Sequence, residues 1–208
     1  MPAPRPRAGI LEIQPYVGGK GHALADDVIK LSANESALGP SPKAMAAYRD
    51  LAAKLHRYPD GSSHDLRHAI GARYDLDPAA IVCGAGSDEL ITFLIQAYAG
   101  PGDEVLYSAH GFLMYKLTAL AFGATPVAAP ELALTADVDA LLAAVTSRTR
   151  LVFLANPNNP TGSYLRPAEL ERLRDGLPDD VLLVIDAAYA EFVRRNDYDD
   201  GAAMVAAH

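Results

Sequence analysis

Long apolar runs, low-complexity tracts and paired cysteines are all lacking in this 208-residue chain. No stretch approaches the roughly 20 apolar residues that a bilayer-crossing helix needs, so no membrane role is expected. The start, Met1-Pro-Ala-Pro-Arg-Pro-Arg7, is rich in Pro and Arg, and the apolar segment that marks a secretory signal does not follow it. A lone cysteine, Cys83, excludes an intrachain disulfide framework and fits a reducing, cytoplasmic setting. Positive charge is in deficit. The 18 Lys and Arg against 26 Asp and Glu give a net charge of −8, and no basic stripe reverses it, which argues against nucleic acid as a partner. What remains is ordinary for a globular protein: 50% hydrophobic and 21% charged residues, enough for one substantial core.

Residues 1–31, broken by Pro15 and Gly18-Gly19, read as an extended arm ahead of one large domain over 32–208. A helix is expected from near Pro42, carrying Met45, Tyr48, Leu51 and Leu55. After the turn Tyr58-Pro-Asp-Gly61, Ser62 or Ser63 should cap a helix running to about Tyr74. Strands and helices then alternate. Ile81-Val-Cys83, Glu104-Val-Leu-Tyr107, Pro126-Val-Ala-Ala129, Leu151-Val-Phe-Leu154 and Val181-Leu-Leu-Val-Ile185 read as strands. The helices between them cover 89–99, capped by Ser87, then 116–122, 138–145, and the segment from Pro167 to about Gly176. Continuous apolar strands separated by helices indicate an α/β fold, a mostly parallel sheet with helices on both faces. Right-handed crossovers bring the C-terminal ends of the strands to one rim, where ligands bind in such sheets.

Three segments are placed at that rim. Gly84-Ala-Gly-Ser-Asp-Glu89 runs small residues into a helix start, whose free N–H groups and partial positive charge can hold a phosphate; a tight strand-to-helix turn would look the same. Asn156-Pro-Asn-Asn-Pro-Thr-Gly162 is a stiff loop presenting Asn159, more specific than turn chemistry alone requires. Asp186-Ala-Ala-Tyr189 ends an otherwise apolar strand in a carboxylate, which is costly there unless it meets a cation or several donors; capping of the next segment is the plain alternative.

Together these segments resemble the fold-type-I, class I/II aminotransferases that use pyridoxal 5'-phosphate. Leu31-Ser-Ala-Asn-Glu35 with Leu38-Gly-Pro-Ser-Pro42, and Arg57-Tyr-Pro-Asp-Gly61, are similar to the histidinol-phosphate branch. The resemblance implies an incomplete large domain of that fold and a role for each matching residue. Asp186 would pair with the pyridinium nitrogen, Tyr189 and Asn159 would bond the ring oxygen, Ser87 and Asp88 would hold the phosphate, and Phe112 would stack on the ring. Tyr58 would reach the phosphate of a neighbouring subunit in a homodimer, and Tyr16 would line the substrate pocket with Asn159. The implied reaction converts L-histidinol phosphate and 2-oxoglutarate to imidazole-acetol phosphate and glutamate. Other transaminases, and decarboxylases or lyases of the same fold, keep the cofactor and change the reaction. Departures from the family pattern occur at Glu35-Ser-Ala37, Phe112, Ser108-Ala-His110 and Asp186-Ala-Ala-Tyr189.

One expected element is missing. The family bonds its cofactor to a lysine that follows the Asp-x-x-Tyr segment, whereas the five lysines here are Lys20, Lys30, Lys43, Lys54 and Lys116. The resemblance therefore implies a C-terminally shortened chain, lacking later strands and a small domain, with no catalytic residue of its own and an unpaired apolar edge beside 181–185. A non-catalytic, cofactor-binding fragment is the alternative that follows.

Overall fold

The sheet is built from strands whose neighbouring residues enter different cores. In the computed structural model, which describes residues 6–14 and 33–207, β1 (Glu104–Ser108), β2 (Thr125–Ala129), β5 (Thr149–Ala155) and β6 (Leu182–Asp186) form a parallel sheet in the order β2-β1-β5-β6. Val105 and Tyr107 of β1, with Leu151, Phe153 and Ala155 of β5, point into one core; Leu106, Val152 and Leu154 point into the other. Both faces are covered, which is why these strands read as unbroken apolar runs.

The first core is closed by α4 (Ser87–Tyr98) through Ile91 and Ile95, and by α5 (Leu113–Phe122) through Tyr115 and Ala119. The opposite core is closed by α6 (Val138–Ala144) through Val138 and Leu141, and by α7 (Pro167–Gly176) through Leu170 and Leu173. The helix ends follow local chemistry. Asp137 accepts the N–H groups of Asp139 and Ala140 at the start of α6. Gly123, in the left-handed region at φ 84°, closes α5 while the Ala124 N–H donates to the Ala119 carbonyl. Pro167 opens α7, where its missing N–H costs nothing. A short helix, α1 (Ala8–Glu12), lies against α5, and α8 (Ala202–Ala207) ends the described chain.

The described residues fall into two compact units, 6–13 with 65–207, and 14 with 33–64. The second contains α2 (Pro42–Leu51), a 3-10 turn at Ala52–Lys54 and no buried side chain among the described residues. Its last turn is held by Asp60, whose carboxylate accepts the N–H groups of Ser62 and His64 where α3 (His64–Tyr74) begins. That carboxylate does the work expected of a serine cap, and the Ser62 hydroxyl donates to it as well.

Two further expectations are corrected. Ile81-Val-Cys83 is extended and forms no strand among the described residues, because nothing lies alongside to pair with it; Val82 is 71% exposed. Ser87 is the first residue of α4 and not its cap. Gly86 takes the N-cap position at φ 78° and ψ −175°, a conformation open essentially to glycine alone. A small hairpin, β3 (Glu131–Leu132) with β4 (Thr135–Ala136), is an addition.

Candidate functional site

Asp186 closes β6, and in the parallel register its partner is Ala155, the last residue of β5. The loop that follows β5 is stapled from within. Asn156 is fully buried; its Oδ1 accepts the Leu165 N–H at 2.7 Å, its Nδ2 donates to the Leu165 carbonyl, and the Tyr198 hydroxyl donates to its backbone oxygen at 2.7 Å. Asn158 Nδ2 donates to the His110 carbonyl at 3.1 Å and to Thr161 Oγ1 at 2.9 Å, which ties this loop to the segment after β1. Both X–Pro bonds of the loop are cis. Asn159 is left with no side-chain hydrogen bond among the described residues.

At the exit of β1, the His110 N–H and Nδ1 both face the Glu131 carboxylate at 2.8 Å, and Phe112 then takes the N-cap position of α5. Its ring meets Tyr115 edge-on, 5.9 Å between centroids at 86°. Tyr115 is fully buried and stacks on Phe153 at 4.7 Å and 14°. Its hydroxyl donates to Asp186 Oδ2 at 2.8 Å, while the Ala188 N–H donates to Asp186 Oδ1 at 3.2 Å. Burial, reinforced by the neighbouring carboxylate, pushes the Tyr115 hydroxyl far above the ordinary tyrosine range, so it stays protonated and remains a donor.

These pieces enclose one cavity of about 160 Å³ at the C-terminal rim. Ser87, Asp88, Phe112, Asn159, Asp186 and Tyr189 all line it. The start of α4 supplies one end, with free amide groups and a partial positive charge. The Ser87 and Asp88 side chains make no hydrogen bond among the described residues, although Glu89 turns back so that the Ala85 N–H donates to its Oε2 at 2.6 Å. Asp186 and the apolar ring of Phe112 line the same cavity. An anion-ready helix start, the Asp186 carboxylate, a flat apolar ring and an uncommitted carboxamide around one cavity suit a cationic heteroaromatic ring that carries an anionic group. Larger clefts lie elsewhere, about 710 Å³ beside Arg166 and Arg195 and about 760 Å³ along β6, but neither gathers such a complementary set.

Tyr58 belongs to the other compact unit, where it is fully exposed, and Tyr16 lies outside the described residues. Tyr115 is the residue that sequence reasoning passed over. Its signal was its place three positions after Phe112, in a helix otherwise rich in apolar residues.

Known proteins resemble this chain over most or all of its length. The family model for aminotransferase class I and II matches residues 26–207. A histidinol-phosphate aminotransferase of Paramagnetospirillum magneticum is 66% identical over 208 residues, covering 100% of this chain and 57% of the relative. One of Rhodospirillum rubrum is 60% identical over 206 residues, 99% of this chain and 56% of its own length. This chain thus spans somewhat more than half the length of the curated relatives it matches. Among solved structures, the histidinol-phosphate aminotransferase of Sinorhizobium meliloti in complex with pyridoxal-5'-phosphate is similar at a TM-score of 0.77 and 33% identity, over 81% of this chain and 46% of that one.

Proposed function

The chain belongs to the class I and II aminotransferase family, and from that premise we propose that it forms the pyridoxal 5'-phosphate-binding part of a transaminase acting on L-histidinol phosphate with 2-oxoglutarate as amino acceptor. The observation that carries the cofactor assignment is the single cavity shared by Ser87, Asp88, Phe112, Asn159, Asp186 and Tyr189. Ser87 and the first-turn amides of α4 hold the phosphate. Asp186 keeps the ring nitrogen protonated, Phe112 covers a ring face, and Asn159 with Tyr189 bonds the ring oxygen. When bound, the cofactor supplies an electron-withdrawing ring that makes the substrate's α-proton removable. Support for the substrate comes from the names of relatives 66% and 60% identical. Tyr16 is assigned to the substrate pocket. Fully exposed Tyr58 is assigned to a partner's phosphate site in a cytoplasmic homodimer.

Titration of the chain with pyridoxal 5'-phosphate, followed by calorimetry, tests the cofactor assignment. Saturable binding is expected, weakened about tenfold or more by Asp186→Asn, which removes the charge opposite the ring nitrogen. Unsaturable uptake, or equal affinity in the variant, sinks the assignment. The substrate is read separately, as glutamate formed from 2-oxoglutarate with L-histidinol phosphate or with L-alanine as donor. Preference for the phosphate ester supports the proposal and preference for alanine refutes it. A second reading, cofactor binding without turnover, is favoured because no lysine lines the cavity among the described residues. It requires saturable binding, no glutamate from either donor, and no pyridoxyl group on Lys116 after borohydride reduction.

A further inference from the structure

We propose that Tyr115 is a positioning residue that aims the Asp186 carboxylate at the ring nitrogen of the cofactor, an inference that rests on the pyridoxal phosphate assignment above. Tyr115 is fully buried in an apolar core shared with Ile91, Ile95, Val105, Ala119 and Phe153. Packing does not need its hydroxyl: Tyr115 stacks on Phe153 and meets Phe112 edge-on through its ring, and a phenylalanine would make both contacts. A buried hydroxyl is costly without a partner, and the partner here is Asp186 at 2.8 Å. Asp186 in turn has its two oxygens tied to different donors, Oδ2 to Tyr115 and Oδ1 to the Ala188 N–H. Two donors on opposite oxygens fix rotation about the Cβ–Cγ bond, so the face that the carboxylate turns to the cavity is set before any ligand arrives. Preorganisation of this kind raises affinity by removing the ordering cost at binding.

Tyr115 also touches Phe112, which lines the same cavity. One side chain therefore contacts both the wall for the ring face and the anion for the ring edge. Contact with Phe112 alone would make Tyr115 a packing residue; the hydroxyl is what assigns it to Asp186.

The test compares affinities for pyridoxal 5'-phosphate and for its carbocyclic analogue, in which C–H replaces the ring nitrogen. Wild type is expected to favour the cofactor. Tyr115→Phe should lower that preference about fivefold, the loss of one charge-assisted hydrogen bond shared between free and bound states. The loss should lie in the cofactor's Kd, with the analogue's unchanged within about twofold. Asp186→Asn should abolish the preference, and Tyr115→Phe added to it should change nothing further. Equal weakening of both ligands would mark a packing role and overturn the proposal, as would an undiminished Tyr115→Phe effect in the Asp186→Asn background. Should Tyr115→Phe fail to fold, wild type carrying ζ-¹³C tyrosine at position 115 alone decides the matter. Its resonance should move on adding the cofactor and stay still on adding the analogue; a resonance indifferent to both refutes the inference. Failure of saturable binding by either ligand in wild type would instead strike the underlying cofactor assignment.

Discussion

Asn156 and Asn159 sit three positions apart in one loop and carry the same amide, yet only one of them has it engaged. Asn156 is fully buried and holds Leu165 by both its oxygen and its nitrogen. Asn159 is half-buried, engages nothing among the described residues and faces the cavity. Asn156→Ala should therefore cost about 2–3 kcal/mol of stability, since it strands the Leu165 N–H and leaves a small void. Asn159→Ala should leave stability within about 0.5 kcal/mol and weaken pyridoxal 5'-phosphate severalfold. Urea denaturation midpoints and cofactor titrations of the two variants separate the effects; a reversal, with Asn159→Ala the destabilising one, would show the loop to be assembled differently. The sequence string Asn156-Pro-Asn-Asn-Pro-Thr-Gly162 announces a rigid loop with an important asparagine. It singles out Asn159 as the side chain presented but not Asn156 as the staple, because the staple depends on Leu165 and Asp199 arriving from later in the chain.

At the scale of elements, the two ends of the sheet differ in chemistry. The C-terminal rim holds uncommitted polar groups, while the opposite rim is laced by charge pairs. Glu104, the first residue of β1 and only 4% exposed, accepts hydrogen bonds from the hydroxyls of Thr146 and Thr149 and pairs with Arg148, all at the entry to β5. Arg150 adds bonds to Asp103 and Asp180 at 3.2 Å. The Thr146 hydroxyl, helped by Arg148 and Thr149 against the cost of burial, holds the Glu104 carboxyl below its ordinary range. A carboxyl depressed in the folded state contributes fully above its unfolded value and loses that contribution as pH falls through the folded value. Glu104→Gln should thus cost about 1–2 kcal/mol at pH 7, with the gap to wild type closing below about pH 4. Urea midpoints measured from pH 7 to pH 3 check this, and a gap that persists unchanged in acid would refute it. The strands flanked by such clamps were legible from sequence, since double-sided burial writes an unbroken apolar run. Ile81-Val-Cys83 carries the same signal without becoming a strand, because pairing is a property of two segments and a run records only one. The hairpin of β3 and β4 was invisible for the opposite reason. Each strand has two residues, and the turn places Ala133 and Leu134 at φ 50° and 62°, where sequence would have asked for Gly or Asn.

Across the whole molecule, burial falls off from the two central strands of the sheet toward both edges, β2 and β6. Every residue of β1 is buried and all but one of β5, whereas in β6 Leu182 is exposed and Leu183, Val184, Ile185 and Asp186 are only half-buried. Yet 181–185 is as apolar as β5. β6 pairs with β5 on one side and with no strand on the other among the described residues. A cleft of about 760 Å³ runs beside it, lined by Val181, Leu183, Ile185, Met204 and Val205 among others. An edge with unpaired backbone groups and apolar side chains on both faces is a template for another strand. The chain should therefore associate as its concentration rises, through β6 of one copy and β6 of the next. Leu182 is the place to interrupt this, being 37% exposed and outside both cores, so that a lysine there costs little in packing and puts charge on the edge. Leu182→Lys should shift association to concentrations about tenfold higher, as opposed to abolishing it, since the remaining edge backbone is untouched. Sedimentation velocity across a dilution series reads both chains. A wild-type chain that stays monomeric throughout would mean that the apolar run of β6 is satisfied within its own molecule, and the half-buried face would then need another explanation.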